Sequence, residues 1–196
     1  MPSDAGWVGS WSPGIGDPTF VGFLTVVVYF FVAWRCRAAA RRITPGMAKL
    51  ETARRERLFW QMLTILYVVL GVNKQLDLQT LLTEIGRLLA HGEGWYEKRG
   101  EVQLAFILVV AALGAVAAAV ALLAVRKASL GARVAAAGTA IVTAFVVIRA
   151  ASFHHVDRFI HSQWLGLKAN WILELGGLCI VLGGTWSHER AFRRAR

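Results

Sequence analysis

The densest run of groups able to do chemistry is residues 152–161, Ser-Phe-His-His-Val-Asp-Arg-Phe-Ile-His. On a helix, His154, Asp157 and His161 share a face, because they are spaced three and four apart. Three or four nitrogen and oxygen donors are what a divalent transition metal requires. With His155, the same groups suit general acid–base work, since imidazole titrates near neutral pH. The competing reading is a polar interfacial loop whose histidines meet water. The run is not a diagnostic metal motif, so both readings stand.

A second cluster is Asn73-Lys74-Gln75-Leu76-Asp77, continued by Glu84 and His91. Asp77 is its candidate catalytic carboxylate, expected to face the histidine run. The alternative is that a helix leaving a membrane must become polar somewhere. A third candidate is an ion pair between Arg149 and Glu174, each inside an apolar stretch. Charges there are expensive, so they find partners within a bundle. A structural salt bridge is the simpler account of this pair, and a substrate or proton site is the other.

The elements that must position these groups follow from apolar patterning. Of the 196 residues, 56% are hydrophobic and only 17% charged, against about 25% charge in an ordinary soluble domain. The deficit is concentrated in long apolar stretches that alternate with short charged ones. The fold class expected is an all-α integral membrane protein. It comprises a single domain, residues 1–196, of about five transmembrane helices over 19–34, 58–75, 102–125, 134–153 and 169–186. Such spans need about 20 residues each, so 58–75 must borrow length by snorkelling of Arg57 or by continuing past Lys74. Residues 76–90 carry Leu78, Leu81, Leu82, Ile85, Leu88 and Leu89 at helical spacing, opposite a polar stripe. They are expected to form an amphipathic helix at the outer surface or an extension of the second span.

Orientation follows from the basic residues. With the N-terminus outside and the C-terminus in the cytoplasm, cytoplasmic segments hold fifteen Lys and Arg and external ones six. Such an excess marks the cytoplasmic side. It accounts for the net charge of +10 without nucleic acid, which is not expected as a partner. The positive charge follows the first apolar run instead of preceding it, so that run is expected to be an uncleaved span. The localisation implied is the plasma membrane, the inner membrane if the source is bacterial.

Packing signals are small residues, which let helix backbones approach where lipid supplies no hydrophobic drive. Gly114 and Ala118 form one pair; Gly176/Gly183 and Gly177/Gly184, each seven apart, form a face on the last span. Cys36 and Cys179 are expected at different depths, which disfavours a disulfide. No histidine falls mid-span, which disfavours a haem between helices, so a divalent metal is the one cofactor the residues suggest. Two function classes survive. One is a non-catalytic membrane component: a complex subunit, an assembly factor or a small transporter. The other is a membrane enzyme with an outer-facing His/Asp site for a lipid or another hydrophobic substrate. No motif fixes a reaction, which favours the first.

Overall fold

The structure, a computed structural model, describes residues 7–8, 11–12, 19–43, 50–77, 81, 84–85, 88, 112, 114–116, 118–119, 121, 123, 125–151, 163–164 and 167–194. It is all-helical apart from a minimal hairpin. Four long helices are α1 (Phe20–Arg42), α2 (Leu50–Leu76), α3 (Leu130–Ala151) and α4 (Ala169–Arg194). Helical residues between 112 and 125 lead into the turn before α3. The hairpin pairs β1 (Gln163–Trp164) with β2 (Leu167–Lys168), antiparallel, with Gln163 opposite Lys168. The sequence between the expected fourth and fifth spans, residues 154–168, predicts only a polar loop.

Each helix end has a local cause. Thr19 caps α1, its side chain accepting from the Gly22 amide at 3.0 Å, which satisfies one of the first-turn donors. α1 then runs past the expected end of its span to Arg42, because the Cys36, Ala39 and Ala40 side continues to bury. α2 likewise absorbs the basic segment before the expected second span into one helix from Leu50. It stops where Asp77 adopts a positive φ of 48°, the left-handed conformation that commonly follows a helix C-terminus. Trp11 closes this end by donating its indole N–H to the Leu76 carbonyl at 3.0 Å. The regular helix of α2 therefore ends at Leu76. Among the described residues beyond it, Glu84 is buried while Ile85 and Leu88 are exposed.

α1 and α4 run one way and α2 and α3 the other, since Tyr29 and Arg35 meet Glu174 and Glu189 in order, and Glu56 and Tyr67 meet Ser129 and Thr139 in order. α1 packs along α2, α3 along α4, and α1 against α4 joins the two pairs. The contact between α3 and α4 is the closest. A Cβ on Gly131 would lie 2.6 Å from the Gly184 carbonyl oxygen, and one on Gly138 would lie 2.8 Å from that of Gly177. Only glycine permits backbones to meet this way. The Gly177/Gly184 pair is thus a packing face, answered by a pair on α3 with the same spacing. Gly176 and Gly183 face open space instead, so the two pairs do not act as one face. Gly114 approaches Val147 and Thr143 of α3, which gives that small residue the role expected of it.

α1 inverts the pattern of a soluble amphipathic helix. Its buried stripe is small or polar: Thr25, Tyr29, Ala33, Cys36 and Ala39. Its exposed stripe is large and apolar: Phe20, Phe23, Val27, Phe30, Phe31 and Trp34. Among the described residues, two helices are long and apolar enough to cross a membrane: α1 and the Leu130–Val147 stretch of α3. α2 and α4 are not among the helices that meet this measure. Two of the five expected spans meet this criterion, and most of the expected span at 102–125 lies outside the described residues.

Candidate functional site

Among the described residues, three sets of polar side chains join helices far apart in sequence, two of them buried and the third at the surface. Nearest the start of α4, Glu174 is 3% exposed. Its carboxylate accepts from the Tyr29 hydroxyl of α1 at 3.1 Å and from Lys74 Nζ of α2 at 3.3 Å. One side chain therefore clamps three helices. The Tyr29 ring lies 6.2 Å from that of Tyr67, and the Tyr67 hydroxyl bonds Thr139 of α3 at 2.9 Å. With these two links, all four helices are tied through the interior.

At the opposite end, Ser129 begins α3. Its hydroxyl oxygen accepts from the Ala132 amide at 3.2 Å, as a helix-capping serine does. In the usual capping box a Glu or Gln three residues on accepts from the capping residue's own amide. Here that later position is Ala132, and Glu56 of α2 accepts instead, from the Ser129 amide at 3.3 Å and from its hydroxyl. His188 of α4 completes the set: its Nδ1 lies 3.2 Å from Ser129 Oγ and 3.2 Å from Glu56 Oε1. Burial pushes the Glu56 carboxyl up, but the hydrogen bonds from His188 and Ser129 outweigh it and hold it below its ordinary value.

Serine, histidine and glutamate in mutual contact invite comparison with a nucleophilic triad. The geometry rules that chemistry out. A triad needs the hydroxyl at one ring nitrogen and the carboxylate at the other, whereas here both meet Nδ1. His188 is also fully buried, with its ring against Trp60 at 5.2 Å and Phe192 at 4.6 Å between centroids. His188 Nε2 and Trp60 Nε1 are both buried without a hydrogen-bond partner. One is an indole donor. The other is an acceptor if the His188 proton sits on Nδ1, so the two orphans are chemically complementary.

The third set lies between α1 and α4. Glu189 accepts from Arg35 at 2.7 Å, Arg42 at 2.8 Å and Arg193 at 3.0 Å. Arg35 Nε also reaches Thr185 Oγ1 at 3.4 Å. The Arg35 hydrogen bond, then that of Arg193, hold the Glu189 carboxyl far below its usual range, at about 2. Arg35, Arg42, Thr185 and Glu189, with Ala38 and Ala39, line a shallow groove.

The expected site residues fare unevenly. Asp77 ends α2 beside Trp11's cap. His154, His155, Asp157 and His161 lie outside the described residues, as does the Asp77–histidine juxtaposition. Among the described residues no group of three or more His, Cys, Asp or Glu is placed to hold a metal. Glu174 is buried and paired with Lys74 and Tyr29; the side chain of Arg149 lies outside the described residues. Sequence reasoning missed Glu56, Ser129 and His188. One signal was available: Glu56, Trp60, Leu63, Tyr67 and Lys74 recur on α2 at steps of three, four and seven, a polar-aromatic face aimed inward. No family model, no curated protein and no solved structure matches the chain.

Proposed function

We propose that the protein is a multi-pass, non-catalytic component of a cellular membrane, with its N-terminus outside and its C-terminus in the cytoplasm. The observation that carries the reading is a shared boundary on the bundle's exterior. Exposed large apolar residues run from Phe20 to Trp34 on α1, Leu58 to Val72 on α2 and Ile172 to Trp186 on α4. Beyond the same end of each, the exterior turns basic at Arg37, Arg57 and Arg190. Leaving such side chains in water forgoes roughly 1.5–3 kcal/mol each, whereas lipid accepts them. Each run rises about 21 Å, less than the roughly 30 Å hydrocarbon core. Snorkelling of the flanking arginines or local thinning makes up the rest.

The non-catalytic part of the reading rests on how the interior polar groups are used. Tyr29, Lys74, Glu174, Tyr67, Thr139, Glu56 and Ser129 are all engaged across helices. They serve as interhelical ties, which suit a subunit, an assembly factor or a small transporter. Cysteine labelling in intact cells, on a chain lacking Cys36 and Cys179, tests the topology. Gly94→Cys should react with an impermeant reagent and Ala128→Cys should not; the reverse result overturns the orientation. A stoichiometric transition metal in the purified protein, lost on His154→Ala, would replace this reading with the membrane enzyme built on Asp77, His154, His155, Asp157 and His161.

A further inference from the structure

We propose that the groove between α1 and α4 at the basic end of the bundle binds the phosphate of an anionic membrane lipid. The inference rests on the membrane reading above and adds a partner of stated chemistry. Arg35 and Arg42 lie seven residues apart on α1 and both turn toward Glu189. Arg193 joins them from α4. Three guanidinium groups around one carboxylate leave a local surplus of two positive charges.

Donor capacity is also left over. A guanidinium offers five N–H donors in a fixed fork suited to phosphate oxygens. Arg35 spends its hydrogen bonds on Thr185 and Glu189, while Arg42 and Arg193 meet only Glu189 among the described residues. Ala38 and Ala39 form a low floor beside them, so a headgroup can approach the forks. Arg42 is 40% exposed and supplies the open side.

Depth selects a lipid over a soluble anion. Trp34 on α1 and Trp186 on α4 are both exposed and flank the groove one residue before Arg35 and three before Glu189. Exposed tryptophans concentrate at headgroup level. A phosphodiester at that level keeps its acyl chains along the apolar exteriors of α1 and α4 while its phosphate meets the arginines. Glu189 keeps the cluster ordered when no lipid is bound, since an unpaired arginine set would repel itself.

The test uses the full chain in a neutral detergent, with its apparent unfolding midpoint read by circular dichroism. Phosphatidylglycerol should raise the midpoint by about 3 °C or more beyond an equal mole fraction of phosphatidylcholine. Arg42→Gln should lose at least half of that difference, and Arg54→Gln, at an exposed position on α2, should keep it. The helical signal of each variant without lipid shows that it folds. Equal gains from the two lipids, or an unchanged difference in Arg42→Gln, overturn the proposal. Inorganic phosphate reproducing the full gain also overturns it, in favour of a soluble anion. If the membrane reading itself is wrong, the failure shows elsewhere, as release of the chain from membranes by alkaline carbonate.

Discussion

The two sides of α4 carry the same sequence feature and use it differently. Gly177 and Gly184 bring the backbone of α4 onto α3, where an added Cβ on Gly184 would lie 2.7 Å from the Ala135 amide nitrogen. Gly176 and Gly183, one residue earlier, meet nothing within 4 Å. The inward side also carries Glu174, Leu178, Val181, Thr185 and His188, all buried. The outward side carries Ile172, Leu173, Cys179, Ile180 and Trp186, all exposed. A one-residue step rotates a helix position by about 100°, enough to turn a packing glycine into a surface one. Spacing therefore identifies a helix with small residues, and the neighbouring helix decides which of them are used.

The largest contrast should come from the inward charge. Glu174→Leu strands Lys74 in the bundle, and losing one partner of a buried pair costs about 3–5 kcal/mol. Adding Lys74→Met to it should recover much of that loss in detergent unfolding measurements. If the double variant is no more stable than the single one, the pair is not the tie described. A smaller effect separates the glycines. Gly184→Ala pushes a methyl group into backbone that cannot yield and should cost about 1–3 kcal/mol. Gly183→Ala should be neutral or stabilise by up to about 1 kcal/mol, the helix propensity that glycine forgoes. Equal losses from the two would erase the distinction between the sides.

The weakest effect is expected from acid, at the charged end of the same inward side. Glu189 has its pKa lowered from 4.5 to about 2, and Glu56 is shifted in the same direction. A lowered carboxyl pKa contributes stability that is present above the ordinary value and lost as pH falls through the folded one. The unfolding midpoint should therefore fall as pH drops from 4.5 toward 2, and Glu189→Gln should flatten that fall. A profile unchanged by Glu189→Gln would show that the arginine cluster adds nothing.

The helices were legible because apolar length and charged punctuation mark them directly. α3, Leu130–Ala151, and the start of α4 at Ala169 lie within a few residues of the spans expected. The extensions of α1 and α2 were not legible, since basic segments read as surface when burial of one side by Ala39, Ala40 and Ala53 is unknown. The ends shared by Lys74 and Glu174 followed from alternating direction alone, but the contact between them did not. Partner choice depends on which helices are adjacent, and a pairing across 100 residues leaves no local trace. Ser129 and Glu56 were hidden for the same reason. A capping box is visible in sequence when both halves lie on one helix, and this one is divided between two.

The clamp at Glu174 also sets a schedule. Lys74 and Tyr29 emerge during synthesis 100 and 145 residues before the carboxylate that satisfies them. At roughly 5–20 residues per second, Lys74 waits about 5–20 s for its partner, and Arg35, 154 residues ahead of Glu189, waits longer still. For that interval the first two helices form an unfinished product whose cations have only water, headgroups or an assisting protein to turn to. A chain halted before α4 stays in that condition, which makes synthesis of this helix the step at which Tyr29, Lys74 and Arg35 first gain the partners that hold them in the folded bundle.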